Sequence, residues 1–169
     1  VQKPDDLLLT SDDVPGHWYK VDLYLELGSI NMALHHATEA IAFYGEQPFL
    51  VKRLALINLV LGNTGTAKIY LRFLTSIPFQ ADWANDYLRR LDLDPTLSGD
   101  EELTRWRQLA PTRNDLIPLP AEPMLLSLLD SHKDNRMACE YLIAHYMLSR
   151  NLQGLAGNFY RLEAMGWKS

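Results

Sequence analysis

Apolar residues recur at the three- and four-residue spacing of an α-helix along most of the chain, which predicts an all-α protein of about seven or eight helices. Two such stretches, residues 17–27 and 30–44, flank Gly28 and predict a helical hairpin. Their apolar positions are Trp18, Val21, Tyr24 and Leu25 in the first stretch and Ile30, Ala33, Leu34, Ala37, Ala40 and Ile41 in the second.

The hairpin pattern repeats after 34 residues, because Gly28 and Ala33 recur as Gly62 and Ala67 within residues 49–77. This period resembles that of the tetratricopeptide repeat. The resemblance implies diverged helical-hairpin repeats that stack into a short right-handed solenoid, since one hairpin cannot bury its apolar face alone.

The match to the tetratricopeptide pattern is incomplete. Residues 17–44 match it at Tyr24, Gly28, Ala33 and Ala40, with His17 in place of the usual Trp. Residues 49–77 match at Gly62 and Ala67, with Asn58 where Tyr is expected and Leu74 where Ala is expected. We therefore expect diverged repeats.

The rest of the chain is predicted to extend these repeats into a single domain, residues 1–169. Residues 1–15 read as an extended arm, 79–110 as a diverged repeat, 111–122 as a Pro-rich ordered crossover and 123–169 as C-terminal helices with a degenerate repeat. In that last repeat Ala156 corresponds to Ala67. Ser98 is the expected N-cap of a helix that follows it, with Glu101 completing a capping box, and Pro123 is the expected first residue of a later helix.

Charge and cysteine content exclude few classes of function. The formal net charge of −5 argues against nucleic-acid binding, which depends on Lys and Arg neutralising phosphates. The single cysteine, Cys139, allows no intramolecular disulfide and is expected to be a buried thiol. No run of about 18 apolar residues is present, so we expect a soluble piece of protein.

No enzyme motif is present, and we expect no catalytic site, cofactor or metal, although catalysis by scattered residues stays open. A calcium-binding loop is one interpretation of the clustered carboxylates Asp92, Asp94 and Asp100. However, Pro95 and Leu97 occupy positions where such a loop needs polar ligands. Acidic caps at two helix ends are the alternative interpretation of these residues.

Repeats of this kind present the inner faces of their leading helices as a concave groove, which gives the candidate site. Aligning the repeats on Gly28 and Gly62 places ten residues there. They are Trp18, Asp22 and Glu26 from the first leading helix, Phe49, Lys52, Leu56 and Leu59 from the second, and Trp83, Asp86 and Arg90 from the third. Either a partner segment fills this groove, or later helices or the N-terminal arm fill it and turn Trp18 and Trp83 into core.

Four segments also resemble an uncharacterised bacterial family. They are residues 21–28, 52–55, 68–72 and 135–142. Members of that family generally carry membrane spans upstream of a soluble helical-repeat region, so the resemblance implies that this chain is the soluble region of a bacterial cytoplasmic-membrane protein, with the extracytoplasmic side favoured. The resemblance implies no activity, substrate or catalytic residue.

Together these observations predict a protein-interaction or scaffolding module that binds a peptide or partner segment in its groove. The alternative is an accessory domain that captures a polymer or ligand for a membrane-bound enzyme or transporter, and a purely structural role is a third possibility. The expected partner is a protein or peptide, not a nucleic acid, and a membrane only through another part of the parent chain. Exposed Trp18, Trp83 and Trp106 on one face would favour the ligand-capturing alternative.

Overall fold

The computed structural model describes residues 17–111 and 120–167. For His17 and Trp18 it describes the backbone only. Across these two ranges it contains nine α-helices and no strand, which confirms the all-α prediction and lies near the expected helix count. The predicted N-terminal arm and most of the Pro-rich crossover lie outside the described residues. The described residues divide into two compact units, 17–110 and 111 with 120–167.

Six helices form the first unit. They are α1 (His17–Leu27), α2 (Ile30–Tyr44), α3 (Pro48–Val60), α4 (Thr64–Thr75), α5 (Ala81–Leu93) and α6 (Glu101–Leu109). Each of the first four helices packs against the next one along the chain. Helix α3 is central because it contacts α1, α2, α4 and α6, and this explains why residues 54–60 are all buried.

The turns after α1 and α3 have the same geometry, 34 residues apart. Gly28 and Gly62 adopt positive φ angles of 83° and 76°, which glycine reaches without a steric penalty. The next N–H in each turn donates to a carbonyl five residues back, Ser29 to Tyr24 and Asn63 to Asn58, both at 2.8 Å. These bonds satisfy carbonyls that the helix end leaves unpaired, so both helices stop at the glycine.

Helix α6 lies against α1 and α3. Its apolar side buries Leu103 and Trp106, and its last residue, Leu109, sits against Gly28. A Cβ added at Gly28 would press on the Leu109 carbonyl oxygen and lie 2.7 Å from the Leu109 Cβ. A glycine is therefore required at position 28 for two reasons, the positive φ and the close approach of Leu109.

The start of α6 differs from the prediction. Ser98 is not its N-cap, because the Ser98 N–H and hydroxyl both donate to Asp94. Asp100 caps the helix instead, with its Oδ1 accepting from the Leu103 N–H at 3.0 Å. The expected capping box therefore does not form.

Three helices form the second unit: α7 (Ala121–Ser131), α8 (Arg136–Leu148) and α9 (Leu152–Ala164). Helix α7 begins two residues before Pro123, which was the expected first residue. Asn135 and Asn151 cap the next two helices by accepting the N–H groups of Ala138 and Gly154.

The turn before α9 corrects one predicted equivalence. Arg150 has a φ of 57°, and the Asn151 N–H donates to the Tyr146 carbonyl at 2.9 Å, as in the turns at Gly28 and Gly62. Arg150 therefore takes the glycine position, and Leu155, not Ala156, corresponds to Ala67. The alignment was wrong by one residue because it started from Asn151, and Ala156 is exposed.

Among residues 17–111 and 120–167, no helix has the length and apolar character needed to cross a bilayer.

The two equivalent glycines give a matched test of the α6 contact. We expect Gly28→Ala to lower the free energy of unfolding by about 3 kcal/mol, because it adds a clash with Leu109 to the penalty for a positive φ. Gly62→Ala has open space around its added Cβ and should cost only about 1 kcal/mol. Urea unfolding followed by circular dichroism checks both values, and equal losses would contradict the close packing of α6 on α1.

Candidate functional site

The predicted groove residues lie on α1, α3 and α5, and the structure divides them into two sets. Trp18 falls outside the described side chains. Leu56 and Leu59 are 1% and 2% exposed and belong to the core, so neither is presented to a partner. The remaining predicted residues, Asp22, Glu26, Phe49, Lys52, Trp83, Asp86 and Arg90, are half-buried or exposed.

Helix α6 covers the C-terminal part of this face. Arg105 binds the Glu26 carboxylate through two hydrogen bonds of 2.6 and 2.8 Å, and the Trp106 indole N–H donates to the same carboxylate at 3.3 Å. Arg107 donates to the Leu59 carbonyl at 2.9 Å. Glu26 is therefore engaged within the molecule, and a later helix fills this part of the predicted groove.

Among the described residues, a pocket lies toward the N-terminal ends of α1 and α3 on the same face. It has a volume of about 570 Å³, and its described lining residues are Asp22, Phe49, Leu50, Lys52 and Arg53. Asp22 and Arg53 form an ion pair, with the Arg53 Nε 2.6 Å from the Asp22 Oδ1. Sequence reasoning placed Asp22, Phe49 and Lys52 here but missed Arg53 and Leu50; the opposite charges of Asp22 and Arg53 on adjacent leading helices were the available signal.

Lys52 lines this pocket and, unlike Arg53, forms no ion pair with another described residue. Its Nζ lies 4.2 Å from the centre of the Trp83 ring, which in turn contacts Tyr87 at 4.6 Å between ring centres. Within the described part of the chain, no carboxylate lies within 4 Å of the Lys52 Nζ. Burial and the neighbouring Arg53 lower the pKa of Lys52, and Glu102 opposes them only in part. An anion placed beside Lys52 would therefore gain more than one placed beside a solvated lysine.

Arg90, at the other edge of the face, is held by the helix cap of α6. The Arg90 guanidinium and the Tyr87 hydroxyl donate to the Asp100 Oδ2 at 2.8 and 2.9 Å. Burial opposes ionisation of Asp100, but the hydrogen bonds from Leu103, Arg90 and Tyr87 outweigh it and lower the pKa of the carboxyl. The same contact with Asp100 raises the pKa of Arg90. Arg90 thus stabilises the join between α5 and α6.

The acidic residues between α5 and α6 serve separate contacts. Asp92 pairs with Lys68 at 2.8 Å, Asp94 accepts from Thr96 and Ser98, and Asp100 caps α6. The hydrogen bonds from Thr96 and Ser98 hold the pKa of Asp94 well below its usual range. Of the two acidic helix caps expected here, Asp100 provides the one at the start of α6, whereas Asp92 forms an ion pair and Asp94 holds the loop between the helices.

Other candidate chemistry is sparse in the described residues. No group of three or more His, Cys, Asp or Glu side chains there is close enough to hold a metal ion. Cys139 is fully buried, and burial raises the pKa of its thiol, which keeps it in the unreactive protonated form.

A protein-family model matches residues 7–169, and its description is "Family of unknown function (DUF6057)". No curated protein and no solved structure is significantly similar to the chain. Any functional assignment therefore depends on the geometry of the site.

The Asp100 cap provides a prediction about stability. We expect Asp100→Ala to cost about 2 to 4 kcal/mol, because the α6 cap is lost and Arg90 and Tyr87 lose their acceptor. Asp92→Ala, which removes an exposed ion pair at the end of α5, is the control and should cost less than about 1 kcal/mol. Urea unfolding at neutral pH measures both, and similar losses would contradict the role of Asp100.

The lowered pKa of Asp100 also predicts a pH dependence. A carboxyl whose pKa is lower in the folded state stabilises the fold above its unfolded pKa of about 3.9 and loses this effect as the pH falls toward the folded value. The wild-type chain should therefore lose more stability below about pH 4 than the Asp100→Asn variant, which has no charge to neutralise. Parallel urea titrations at neutral and acidic pH check this difference, and parallel curves would contradict it.

Proposed function

Since the chain belongs to this family of unknown function, we propose a role that is argued from the geometry of the chain itself. The role is that of a protein-interaction module that binds an acidic, partly apolar peptide segment. The binding site is the open pocket beside Lys52. The observation that carries the proposal is a pocket of about 570 Å³ whose lining combines an available cation with an apolar wall.

The lining determines which peptide would fit. Lys52 offers a cation whose charge is only partly compensated, and Phe49, which is 48% exposed, offers an aromatic surface beside it. An Asp or Glu side chain, or a C-terminal carboxylate, would pair with Lys52, while an adjacent apolar side chain would pack on Phe49. The Asp22–Arg53 pair at the same pocket would select against a ligand of uniform negative charge, because it presents both signs.

The scaffold in this proposal is a pair of diverged tetratricopeptide-like repeats in a short right-handed solenoid. The turns at Gly28 and Gly62 support this view, since they repeat the same backbone hydrogen bonds at the tetratricopeptide period. Helix α6 then occupies part of the concave face, and the peptide site is confined to the N-terminal ends of α1 and α3.

The cellular setting in this proposal is the soluble region of a bacterial cytoplasmic-membrane protein, on the extracytoplasmic side. It is supported by the resemblance of residues 21–28, 52–55, 68–72 and 135–142 to a family with upstream membrane spans. The module would bring a partner protein to that parent chain.

Capture of a polymer such as a glycan is less favoured by the aromatic residues. Trp106 is 2% exposed, and Lys52 and Tyr87 both pack against Trp83. Stacking on a sugar ring requires an open aromatic face, and neither of these two tryptophans offers a clear one.

Selection from a random-peptide phage library on the immobilised 169-residue chain tests the proposal. We expect enriched peptides to carry an Asp, a Glu or a free C-terminal carboxylate next to an apolar residue. Lys52→Met keeps the apolar stem of the side chain and removes its charge. This variant should bind synthetic versions of these peptides about tenfold more weakly, or weaker still. Arg136→Met, an exposed cation of the second unit, is the control and should leave their affinity unchanged.

Calorimetric titration of each variant with a selected peptide gives these affinities. Peptides that bind the Lys52→Met variant as well as the wild type, or a selection that enriches no acidic peptide, would contradict the assignment.

A further inference from the structure

Exposed aromatic residues of the first unit collect at one end of its helical stack. The short connections 45–47 and 76–80 reverse the chain at the same end, so the start of α1, α3 and α5 and the end of α2 and α4 lie together there. The exposed aromatics at this end, called the aromatic end below, are Tyr19, Phe43, Tyr44, Phe49, Phe73 and Phe79. Within residues 17–110, the opposite end has no exposed aromatic side chain, and Leu93 is its exposed apolar residue.

Phe79 is the most unusual residue of this end. Its side chain is 100% exposed, and its φ of 66° lies in the left-handed region that residues with a Cβ avoid. In the isolated chain, Phe79 therefore carries two free-energy costs: a large apolar group exposed to water and an unfavourable backbone conformation. Costs of this kind persist at positions with a binding role, where the conformation presents a side chain to a partner.

A second pocket, lined by residues of α2, α3, α4 and the 45–47 connection, adjoins the aromatic end. It has a volume of about 280 Å³, and its lining includes the buried Val51 and Leu54 with the exposed Ile69 and Phe73. Phe73 belongs to both the pocket and the aromatic end, and only the short segment after α4 separates it from Phe79. One surface therefore carries a projecting aromatic side chain and an apolar cavity.

We propose that two copies of this chain associate through this surface, with Phe79 of each copy entering the pocket of the other. A two-fold dimer requires a self-complementary surface, in which each copy supplies both the inserting side chain and the cavity that receives it. The aromatic end and its pocket meet this requirement. Filling both cavities removes both exposed phenylalanines from water and stabilises the association.

Two exposed residues of opposite charge lie at or near the pocket. Arg72 lies next to Phe73, and Glu46 lines the pocket. Both are exposed, and among the described residues neither forms an ion pair. A surface of one sign would repel its own copy, whereas this one allows Arg72 of each copy to pair with Glu46 of the other.

Sedimentation equilibrium of the 169-residue chain over a wide concentration range tests the proposal. The wild type should change from monomer to dimer as its concentration rises. Phe79→Asn should raise the dimer dissociation constant by about a hundredfold or more, because each dimer loses two inserted rings. Asn tolerates a positive φ, so we expect this variant to keep the fold, and circular dichroism is the check. Leu93→Ser, at the opposite end, is the control and should dimerise like the wild type.

A charge exchange tests the two-fold arrangement itself. Arg72→Glu and Glu46→Arg should each weaken self-association, because each places like charges together twice in a dimer. Mixing the two variants should restore association as a heterodimer, in which both contacts pair opposite charges.

A wild-type chain that stays monomeric at every concentration would overturn the proposal, as would a dimer that survives Phe79→Asn or a mixture that fails to associate. A monomer that binds neutral phosphatidylcholine vesicles through Phe79 would also overturn it and assign the aromatic end to a bilayer surface. Peptide binding beside Lys52 involves other residues, so its presence or absence is independent of these outcomes.

Discussion

The packing of α6 across α1 and α3 is the constraint on which the first unit depends. It requires a glycine at residue 28, where Leu109 leaves no room for a side chain, and it ties Arg105 and Trp106 to Glu26. It also determines which part of the leading-helix face can bind a partner. Helix α6 covers the C-terminal part of that face, and the described residues leave a pocket at the N-terminal part beside Lys52. A chain with the same hairpins but without this return helix would present a longer surface of different chemistry.

Local patterns in the sequence predicted the local structure well. The hairpins around Gly28 and Gly62 begin and end within a residue or two of their expected positions, because a helix stop at glycine depends only on neighbouring backbone groups. The same logic failed at Ser98, since Asp94 competes for both of its donors and leaves the cap to Asp100. A capping motif in a sequence does not reveal whether its Ser will bond to another side chain instead, or which neighbouring residue will then cap the helix.

The candidate site was only partly predictable, because its limits depend on contacts between distant residues. Repeat alignment placed Asp22, Lys52 and Trp83 on one face, but it gave no sign that Arg105 would pair with Glu26, 79 residues earlier. Periodicity describes each helix separately and cannot say which later helix returns over it. The charge of Glu26 therefore suggested a role in partner binding, and the structure uses it to hold α6 in place.

The central claim is that a partner binds beside Lys52 while α6 stays closed over the rest of the face. Nuclear magnetic resonance of the four tryptophan indole N–H groups, assigned with single Trp→Phe variants, tests this claim on addition of a selected acidic peptide. We predict that the Trp83 signal shifts, because Trp83 lies under Lys52, and that the Trp106 signal stays in place, because its N–H remains bonded to Glu26. A shift of Trp106 with an unchanged Trp83 would mean that the partner displaces α6, and it would contradict this account of the site.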